Sequence, residues 1–210
     1  MTASIHEGLE DQAVAEAVGP ARRVLDCGCG SGRIARRLEG REVDGIELSA
    51  SAAEAARTAC RRVITGSVTD PAAWQALGER RYDAIVFCHV LEHLTDPLAA
   101  LEHARRHLAS NGRIVVVLPN VATWRMRWHL LRGRWDYADE GILDRTHVKF
   151  YTLDSARAFV TGAGLQIREE RLLGTPPGGS ALRRLLVRSL RRLSDRATAQ
   201  AFLFVTAPQG

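Results

Sequence analysis

The chain has 210 residues, of which 46% are hydrophobic, so it is long and apolar enough to form one domain with a sizeable core. Its apolar runs are far too short to cross a membrane, and the N-terminus lacks the basic and apolar regions of a signal peptide. The net charge of +5 equals that of residues 181–196 alone, which carry six arginines and one aspartate, so we expect no general nucleic-acid-binding surface.

Four cysteines are scattered along the chain and form neither a zinc-type pairing nor a disulfide framework. We therefore expect a reduced, cytoplasmic setting for the protein. The sequence contains no internal repeat and no low-complexity linker, so residues 1–210 are predicted to form a single domain.

Apolar strands alternate with amphipathic helices along the chain. Strands are predicted over 22–30, 42–49, 63–68, 82–90, 112–119, 165–173 and 201–208. Helices are predicted over 31–40, 50–62, 70–79, 96–109, 152–164 and 178–197. This alternation predicts an α/β, doubly wound fold whose mostly parallel sheet is covered on both faces. Ligands of such sheets bind where the strands end, at the point where the strand order switches.

A glycine loop follows the first predicted strand, in the sequence LDCGCGSG. Asp26 precedes three glycines, Gly28, Gly30 and Gly32, in the spacing G-x-G-x-G rather than the G-x-G-x-x-G of dinucleotide folds. Glu47 ends the second strand, 21 residues after Asp26, where a carboxylate can accept hydrogen bonds from a ribose diol. A tight turn beside a surface glutamate is the simpler alternative, but loop, acid and spacing together predict a nucleoside site.

At these residues the sequence resembles the class I S-adenosylmethionine-dependent methyltransferases. VLDCGCGSG is similar to their first motif, DGIELS to their second and YDAIVFCHVLEHLTDP to their fourth. The resemblance implies a seven-stranded sheet with an antiparallel last strand, and S-adenosylmethionine as the methyl donor. It also implies a donor-binding set consisting of Asp26, Gly28, Gly30, Gly32, Glu47, Leu48, Ser49, Ser67 and His89. In this set Glu47 would hold the ribose, Leu48 and Ser49 would border the adenine, and Ser67 stands where many relatives carry an aspartate.

Two further passages resemble particular groups of these methyltransferases. LPNVATWRMRWHLLRGRW and LDRTHVKFYT are similar to the methionine-biosynthesis protein W group and to natural-product and glycan methyltransferases that share a DRTH motif. The implied reaction is O-methylation of a small-molecule, natural-product or glycan acceptor. One alternative is a non-catalytic, donor-binding partner subunit of another enzyme. A second alternative, a metal-dependent RNA 2′-O-methyltransferase, is disfavoured because nucleic-acid binding is not expected.

Three histidines and one glutamate are the candidate chemical groups for the acceptor. His89, Glu92 and His93 follow the fourth strand, and His147 ends a long insertion that must return to the same edge of the sheet. One interpretation is purely structural, with these side chains bonding the backbone. In another, His147, His89 and His93 act as acid/base groups or hydrogen-bond the acceptor. In the last, which is not favoured, His89, Glu92, His93 and His147 bind a divalent metal, as VLEHL resembles a motif of metal-dependent methyltransferases.

The insertion over 119–150 is too aromatic to be disordered and is predicted to form the acceptor lid. Trp124 and Trp128 are one helical turn apart, and with Arg125 and His147 they are the predicted acceptor-binding residues. The Arg-rich helix over 178–197 is predicted to lie between the last two strands. It either packs on the domain edge or makes a homodimer or peripheral membrane contact.

Overall fold

The computed structural model describes residues 2–174 and 195–209. Its strands are β1 Arg23–Cys27, β2 Glu42–Glu47, β3 Arg62–Thr65, β4 Tyr82–Cys88, β5 Leu108–Pro119, β6 Leu165–Leu173 and β7 Ala201–Pro208. Its helices are α1 Thr2–Val18, α2 Ala50–Ala56, α3 Pro71–Gln75, α4 Pro97–Arg106, α5 Trp124–Leu131, α6 Leu153–Gly162 and α7 Asp195–Thr198. Two short 3-10 turns, Ala35–Arg37 and Leu91–His93, follow β1 and β4.

The seven strands form one sheet in the order β3-β2-β1-β4-β5-β7-β6. Strands β1 to β5 are parallel to one another, whereas β7 is antiparallel to both β5 and β6. The predicted seven-stranded, mostly parallel sheet with an antiparallel last strand is therefore confirmed. The strand order switches between β1 and β4, so the expected ligand position is the edge where these two strands end.

The core lies on both faces of the sheet because the central strands are apolar without interruption. In β4, Ile85 and Phe87 pack on the face that carries Trp74 of α3. Their neighbours Ala84 and Val86 pack on the opposite face, with α1 and α2. Successive side chains of a strand point to opposite faces, so an unbroken apolar run is what two covered faces require. Both layers leave the carboxyl edge of the strands free to carry polar groups.

Two differences from the predicted elements concern the region before and after β1. Residues 31–40 were expected to form an α-helix, but the structure has only the 3-10 turn Ala35–Arg37. Gly32 adopts a φ of +84°, and the bonds that follow run mainly from each residue to the third one before it, which prevents a regular α-helix. The helix α1 was not predicted.

The predicted Arg-rich helix over 178–197 lies outside the described residues, apart from its last residues in α7. Its proposed homodimer or membrane contact therefore stays a prediction. Within the described ranges, no helix combines the length and the apolarity that crossing a membrane requires.

Candidate active site

The glycine loop is held to the end of β2 by backbone hydrogen bonds from Gly28 and Cys29 to the Ile46 carbonyl oxygen and by one carboxylate. Glu47 Oε2 accepts the Gly30 N–H at 2.8 Å, and Glu47 Oε1 accepts the Ser49 N–H at 2.8 Å. Each oxygen uses one of its lone pairs in this way and keeps another for a ligand. The structure thus brings Gly30 and Glu47 together at the carboxyl edge of the sheet, as the spacing predicted.

Two glycines of the loop have backbone geometry that a side chain would disturb. Gly28 and Gly30 have φ values of +73° and +53°, which other residues rarely adopt. A Cβ on Gly28 would lie 2.4 Å from Cγ2 of Val90, so the loop packs directly against the chain that leaves β4. A Cβ on Gly30 would have no described atom within 4 Å, which means that Gly30 borders open space. A ligand can therefore lie against the Gly30 backbone.

Asp26, the last acidic residue before the loop, is buried with both carboxylate oxygens lacking a hydrogen-bond partner among the described residues. Burial raises the pKa of Asp26 to about 7, with Asp11 and Glu47 adding to the increase and Arg33 opposing it. The Arg33 guanidinium lies 3.2 Å from the Asp11 carboxylate. A buried carboxyl group without a partner is costly, and a ligand carrying an ammonium group would satisfy it.

The predicted adenine-side residues lie around the ends of β2 and β3. Leu48 is 73% exposed, so its side chain is accessible to a ligand. The Ser49 hydroxyl accepts the Ala52 N–H and so caps α2. Ser67 bonds Thr69 within its own turn, with 2.8 Å between the two hydroxyl oxygens. Their roles in donor binding stay predictions.

His89 lies between two carboxylates. Its Nδ1 is 3.0 Å from Glu92 Oε1, and its Nε2 bonds Glu10 Oε1 of α1. Burial alone would lower the pKa of His89, but the hydrogen bonds to Glu10 and Glu92 outweigh it and raise the pKa to about 10. The ring is then an imidazolium that donates from both nitrogens. In this arrangement His89 offers no lone pair to a metal or to a proton.

Sequence reasoning missed Glu10 and Asp11, the two acidic residues that α1 contributes to this edge. A signal existed, because Val14, Ala17 and Val18 recur at helical spacing and are buried in the structure. The same periodicity places Glu10 one turn before Val14. What the sequence could not show is the partner of Glu10, since His89 lies 79 positions further along the chain.

A second cluster consists of Glu92, His93 and His147. One ring nitrogen of each histidine and one Glu92 carboxylate oxygen lie within 4.8 Å of one another, and the two rings have centroids 4.5 Å apart. The predicted return of the insertion to the β4 edge is therefore observed. Backbone N–H groups of Val148 and Lys149 both donate to the Glu92 carbonyl oxygen, at 2.9 and 3.0 Å, and hold the end of the insertion there.

Within this cluster, Glu92 and His147 have atoms available for chemistry. Glu92 is completely buried, and its Oε2 has no hydrogen-bond partner among the described residues. His147 Nδ1 lies 3.0 Å from the carbonyl oxygen of Ile142. A carbonyl oxygen only accepts, so Nδ1 carries the hydrogen, and Nε2 of the neutral ring bears the lone pair. Of the four residues proposed as metal ligands, Glu92, His93 and His147 converge, whereas both ring nitrogens of His89 are taken by Glu10 and Glu92.

The insertion over 119–150 contains one helix, α5, capped by the Thr123 hydroxyl. Met126 faces the core, whereas Trp124 and Trp128 are 41% and 54% exposed. Arg127 and Arg132 lie over the faces of these two indoles. The predicted aromatic ridge therefore exists as an exposed surface, and Arg125 is exposed beside it. Its role as an acceptor lid stays a prediction.

Comparison with known proteins gives the fold and the family. The CcbJ methyltransferase from Streptomyces caelestis superposes with a TM-score of 0.65 at 19% identity, covering 97% of this chain and 95% of that one. Magnesium protoporphyrin IX methyltransferase from Synechocystis, solved with bound S-adenosylhomocysteine, superposes with a TM-score of 0.66 at 13% identity, covering 96% and 83% of the two chains. These similarities confirm the predicted methyltransferase fold.

Two curated relatives are similar in sequence. A ubiquinone biosynthesis O-methyltransferase of Alkalilimnicola ehrlichii is 31% identical over 115 residues, which cover 49% of this chain and 44% of the relative. A malonyl-[acyl-carrier protein] O-methyltransferase of Geobacter sulfurreducens is 31% identical over 157 residues, covering 72% and 58%. The chain thus spans about half the length of these relatives.

A family model described as a methyltransferase domain matches residues 7–170, which hold the glycine loop, Glu47 and the Glu92, His93 and His147 cluster. This match covers well over half of the chain and agrees with the sheet order and the glycine-loop geometry. The chain belongs to the methyltransferase-domain family, and its resemblance to the class I S-adenosylmethionine-dependent methyltransferases is confirmed.

Proposed function

We propose that the protein transfers a methyl group from S-adenosylmethionine to a hydroxyl group of a small-molecule, natural-product or glycan acceptor. The observation that carries the proposal is the pairing of two half-sites at one edge of the sheet. The glycine loop, Asp26 and Glu47 form the donor half, and Glu92, His93 and His147 form the acceptor half. Relatives named as O-methyltransferases support a hydroxyl as the accepting group.

The donor half has the chemistry that S-adenosylmethionine needs. The unpaired carboxyl group of Asp26 suits the ammonium of its methionine part, and the free lone pairs of Glu47 suit its ribose hydroxyls. The Gly30 backbone borders open space that a ligand can occupy. When bound, S-adenosylmethionine supplies a methyl group on a sulfonium that needs no further activation. The task left to the chain is to align the acceptor and remove its proton.

His147 is the residue that we assign to proton removal. Its Nδ1–H is fixed on the Ile142 carbonyl, so Nε2 is the acceptor of a proton. Glu92 lies next to it with a buried, unpaired Oε2 that would stabilise the imidazolium formed when the proton is taken.

The insertion supports acceptor binding by its position. It leaves β5 and returns to the β4 edge, so α5 lies on the chain segment that connects the two sides of the acceptor half. Trp124 and Trp128 present flat apolar surface, and the arginines beside them can pair with a carboxylate, phosphate or sugar oxygen. The proposed acceptor is therefore a partly apolar molecule with an oxygen-rich or anionic group.

A divalent metal at Glu92, His93 and His147 is the second candidate for activating the hydroxyl. The specific observation in its favour is the buried Glu92 Oε2, which lacks a partner among the described residues within a cluster of three potential ligand atoms. Mixed nitrogen and oxygen ligands suit Mn²⁺ or Zn²⁺ better than Mg²⁺. A metal bound there would lower the pKa of a coordinated hydroxyl and take over the role assigned to His147.

The test is an acceptor screen with methyl-labelled S-adenosylmethionine, read by mass spectrometry, followed by kinetics on His147→Ala. Loss of the base should reduce turnover by roughly a hundred- to ten-thousandfold while donor affinity stays unchanged. His103→Ala, in α4, is the matched control and should leave both unchanged. Donor binding without any turnover, together with a stable complex with another protein, would instead identify a partner subunit.

A chelator added to the active enzyme separates the two candidates for hydroxyl activation. Unchanged activity would remove the metal and leave His147 as the base. Loss of activity that Mn²⁺ or Zn²⁺ restores would assign the cluster to a metal, in which case Glu92→Ala and His93→Ala should match the defect of His147→Ala.

A further inference from the structure

Asp144, Thr146 and His93 form a chain of hydrogen bonds that has a defined direction. The Thr146 hydroxyl lies 2.6 Å from Asp144 Oδ1 and 2.8 Å from His93 Nδ1. An ionised carboxylate only accepts hydrogen bonds, so the single hydroxyl hydrogen of Thr146 goes to Asp144. The Thr146 oxygen can then only accept from the ring. It follows that His93 Nδ1 carries a hydrogen.

Asp144 is held in the form that this direction requires. Its Oδ1 also accepts the Thr146 backbone N–H at 2.7 Å, which closes a tight turn. The hydrogen bonds from the Thr146 side chain and backbone lower the pKa of Asp144 from its ordinary value. The carboxyl group therefore stays ionised near neutral pH, and the Thr146 hydroxyl keeps pointing at it.

The consequence lies on the other side of the His93 ring. With Nδ1 protonated, a neutral His93 has a lone pair on Nε2, as His147 has for an independent reason. The alternative tautomer of His93 would place a hydrogen on Nε2 and leave Nδ1 with a lone pair that faces the Thr146 oxygen, whose single hydrogen is already donated to Asp144. An Nε2–H group would have no lone pair with which to accept a hydrogen bond or a proton.

We propose that Asp144 and Thr146 are positioning residues that lock His93 in its Nδ1–H tautomer and so keep a lone pair on its Nε2. The inference rests on the proposed function only for its benefit to methyl transfer, since the tautomer itself exists without donor or acceptor. It assigns a role to the Asp and Thr of the DRTH sequence, which are otherwise outside the site. Neither residue needs to contact the substrate.

The direct test is nitrogen-15 NMR of the histidine rings in the full-length protein, without donor or acceptor, at a pH where His93 and His147 are neutral. Long-range spectra distinguish a protonated ring nitrogen from one with a lone pair. The parent should show His93 and His147 both as Nδ1–H tautomers. Thr146→Val keeps the shape of the side chain and removes its oxygen, so His93 alone should change to the Nε2–H tautomer. Thr146→Ser should behave as the parent.

An Nε2–H tautomer of His93 in the parent, or an unchanged His93 in Thr146→Val, would overturn the proposal. Once an acceptor is known, Thr146→Val should lower kcat by roughly ten- to a hundredfold, with little change in the KM for the donor and with recovery in Thr146→Ser. If the spectra show the locked His93 tautomer but the protein methylates no acceptor, the role of Asp144 and Thr146 stands. Only the proposed function is then contradicted.

Discussion

Asp26 differs from the other buried carboxyl groups of the described residues in that both of its oxygens lack a hydrogen-bond partner. Asp44 in β2 is just as buried and its Oδ1 also lacks a partner, but its Oδ2 accepts from Arg61 at 2.6 Å and from Tyr82 at 2.8 Å. Glu92 follows the pattern of Asp44, since its Oε1 bonds His89 and only its Oε2 lacks a partner. Because an unsatisfied buried acceptor costs about 1–3 kcal/mol, we infer that a ligand group completes Asp26.

The raised pKa of Asp26 predicts that donor binding depends on pH. An ammonium group binds the ionised carboxylate, and burial raises the pKa of Asp26 to about 7, so the carboxylate form is lost as pH falls through that value. Donor affinity should therefore decrease as the pH is lowered from about 7.5 to 6. Titration calorimetry at a series of pH values measures this dependence.

Asp26→Asn should weaken donor binding about ten- to a hundredfold at the upper end of this range and remove the pH dependence. Asp154→Asn, on the exposed surface of α6, is the control and should keep the parent's profile. A donor affinity in the parent that does not change with pH would contradict the assignment of Asp26 to the ammonium group.

At the scale of elements, the sequence predicts what local pattern determines and misses what distant partners determine. All seven strands appear in the structure near their predicted positions, as do the helices predicted after β2, β3, β4 and the insertion. The expected helix over 31–40 fails because the loop glycines impose backbone angles that a helix does not accept. The engagement of His89 depends on Glu10 in α1, and no spacing in the sequence connects these two residues.

The contact between α1 and His89 predicts a pH dependence of stability. The pKa of His89 is raised to about 10 in the folded state, above its value of about 6.5 when unfolded. The stabilisation of the folded state by protonated His89 is therefore fully present below about pH 6.5 and is lost as the pH rises through about 10. His89→Gln should reduce the free energy of unfolding by about 1–3 kcal/mol at neutral pH.

Denaturant titrations of both proteins at several pH values measure this difference. The gap between parent and His89→Gln should shrink as the pH approaches 10. Glu54→Gln, which removes one member of an exposed ion pair with Arg57, serves as the control and should give a small, constant difference. If the difference in unfolding free energy between the parent and His89→Gln stays the same or widens between pH 7 and 10, the His89 ring between Glu10 and Glu92 is not protonated.

We expect the exposed tryptophans of α5 to be needed for acceptor turnover but not for donor binding. Trp124 and Trp128 are exposed, and α5 lies between β5 and the segment that returns to His147. The double variant Trp124→Ala with Trp128→Ala should retain donor affinity and lose most of its acceptor turnover. Leu98→Ala, an exposed apolar residue of α4, is the matched control. If donor affinity falls as much as turnover does, the insertion supports the fold rather than the acceptor.

At the scale of the whole molecule, the strand order places the two half-sites side by side. The chain reverses its direction of winding between β1 and β4, so the segments after these neighbouring strands lead to opposite faces of the sheet, although Gly28 and Val90 pack together where they begin. The proposed donor half follows β1 and β2, and the proposed acceptor half follows β4 and the insertion after β5. In this proposal the two ligands meet at one edge of the sheet, where Glu10 of α1 bonds His89.

The most direct test of this account is calorimetric titration of S-adenosylmethionine into the parent and two matched glycine variants. Gly30 and Gly40 both have positive φ values, of +53° and +74°, and at neither would a Cβ have a described atom within 4 Å, so valine imposes similar backbone strain at each. The parent and Gly40→Val should bind in the micromolar range, Gly30→Val should show no binding, and Glu47→Ala should lose about ten- to a hundredfold. Equal affinity in all four proteins would contradict the assignment of this edge as the donor site.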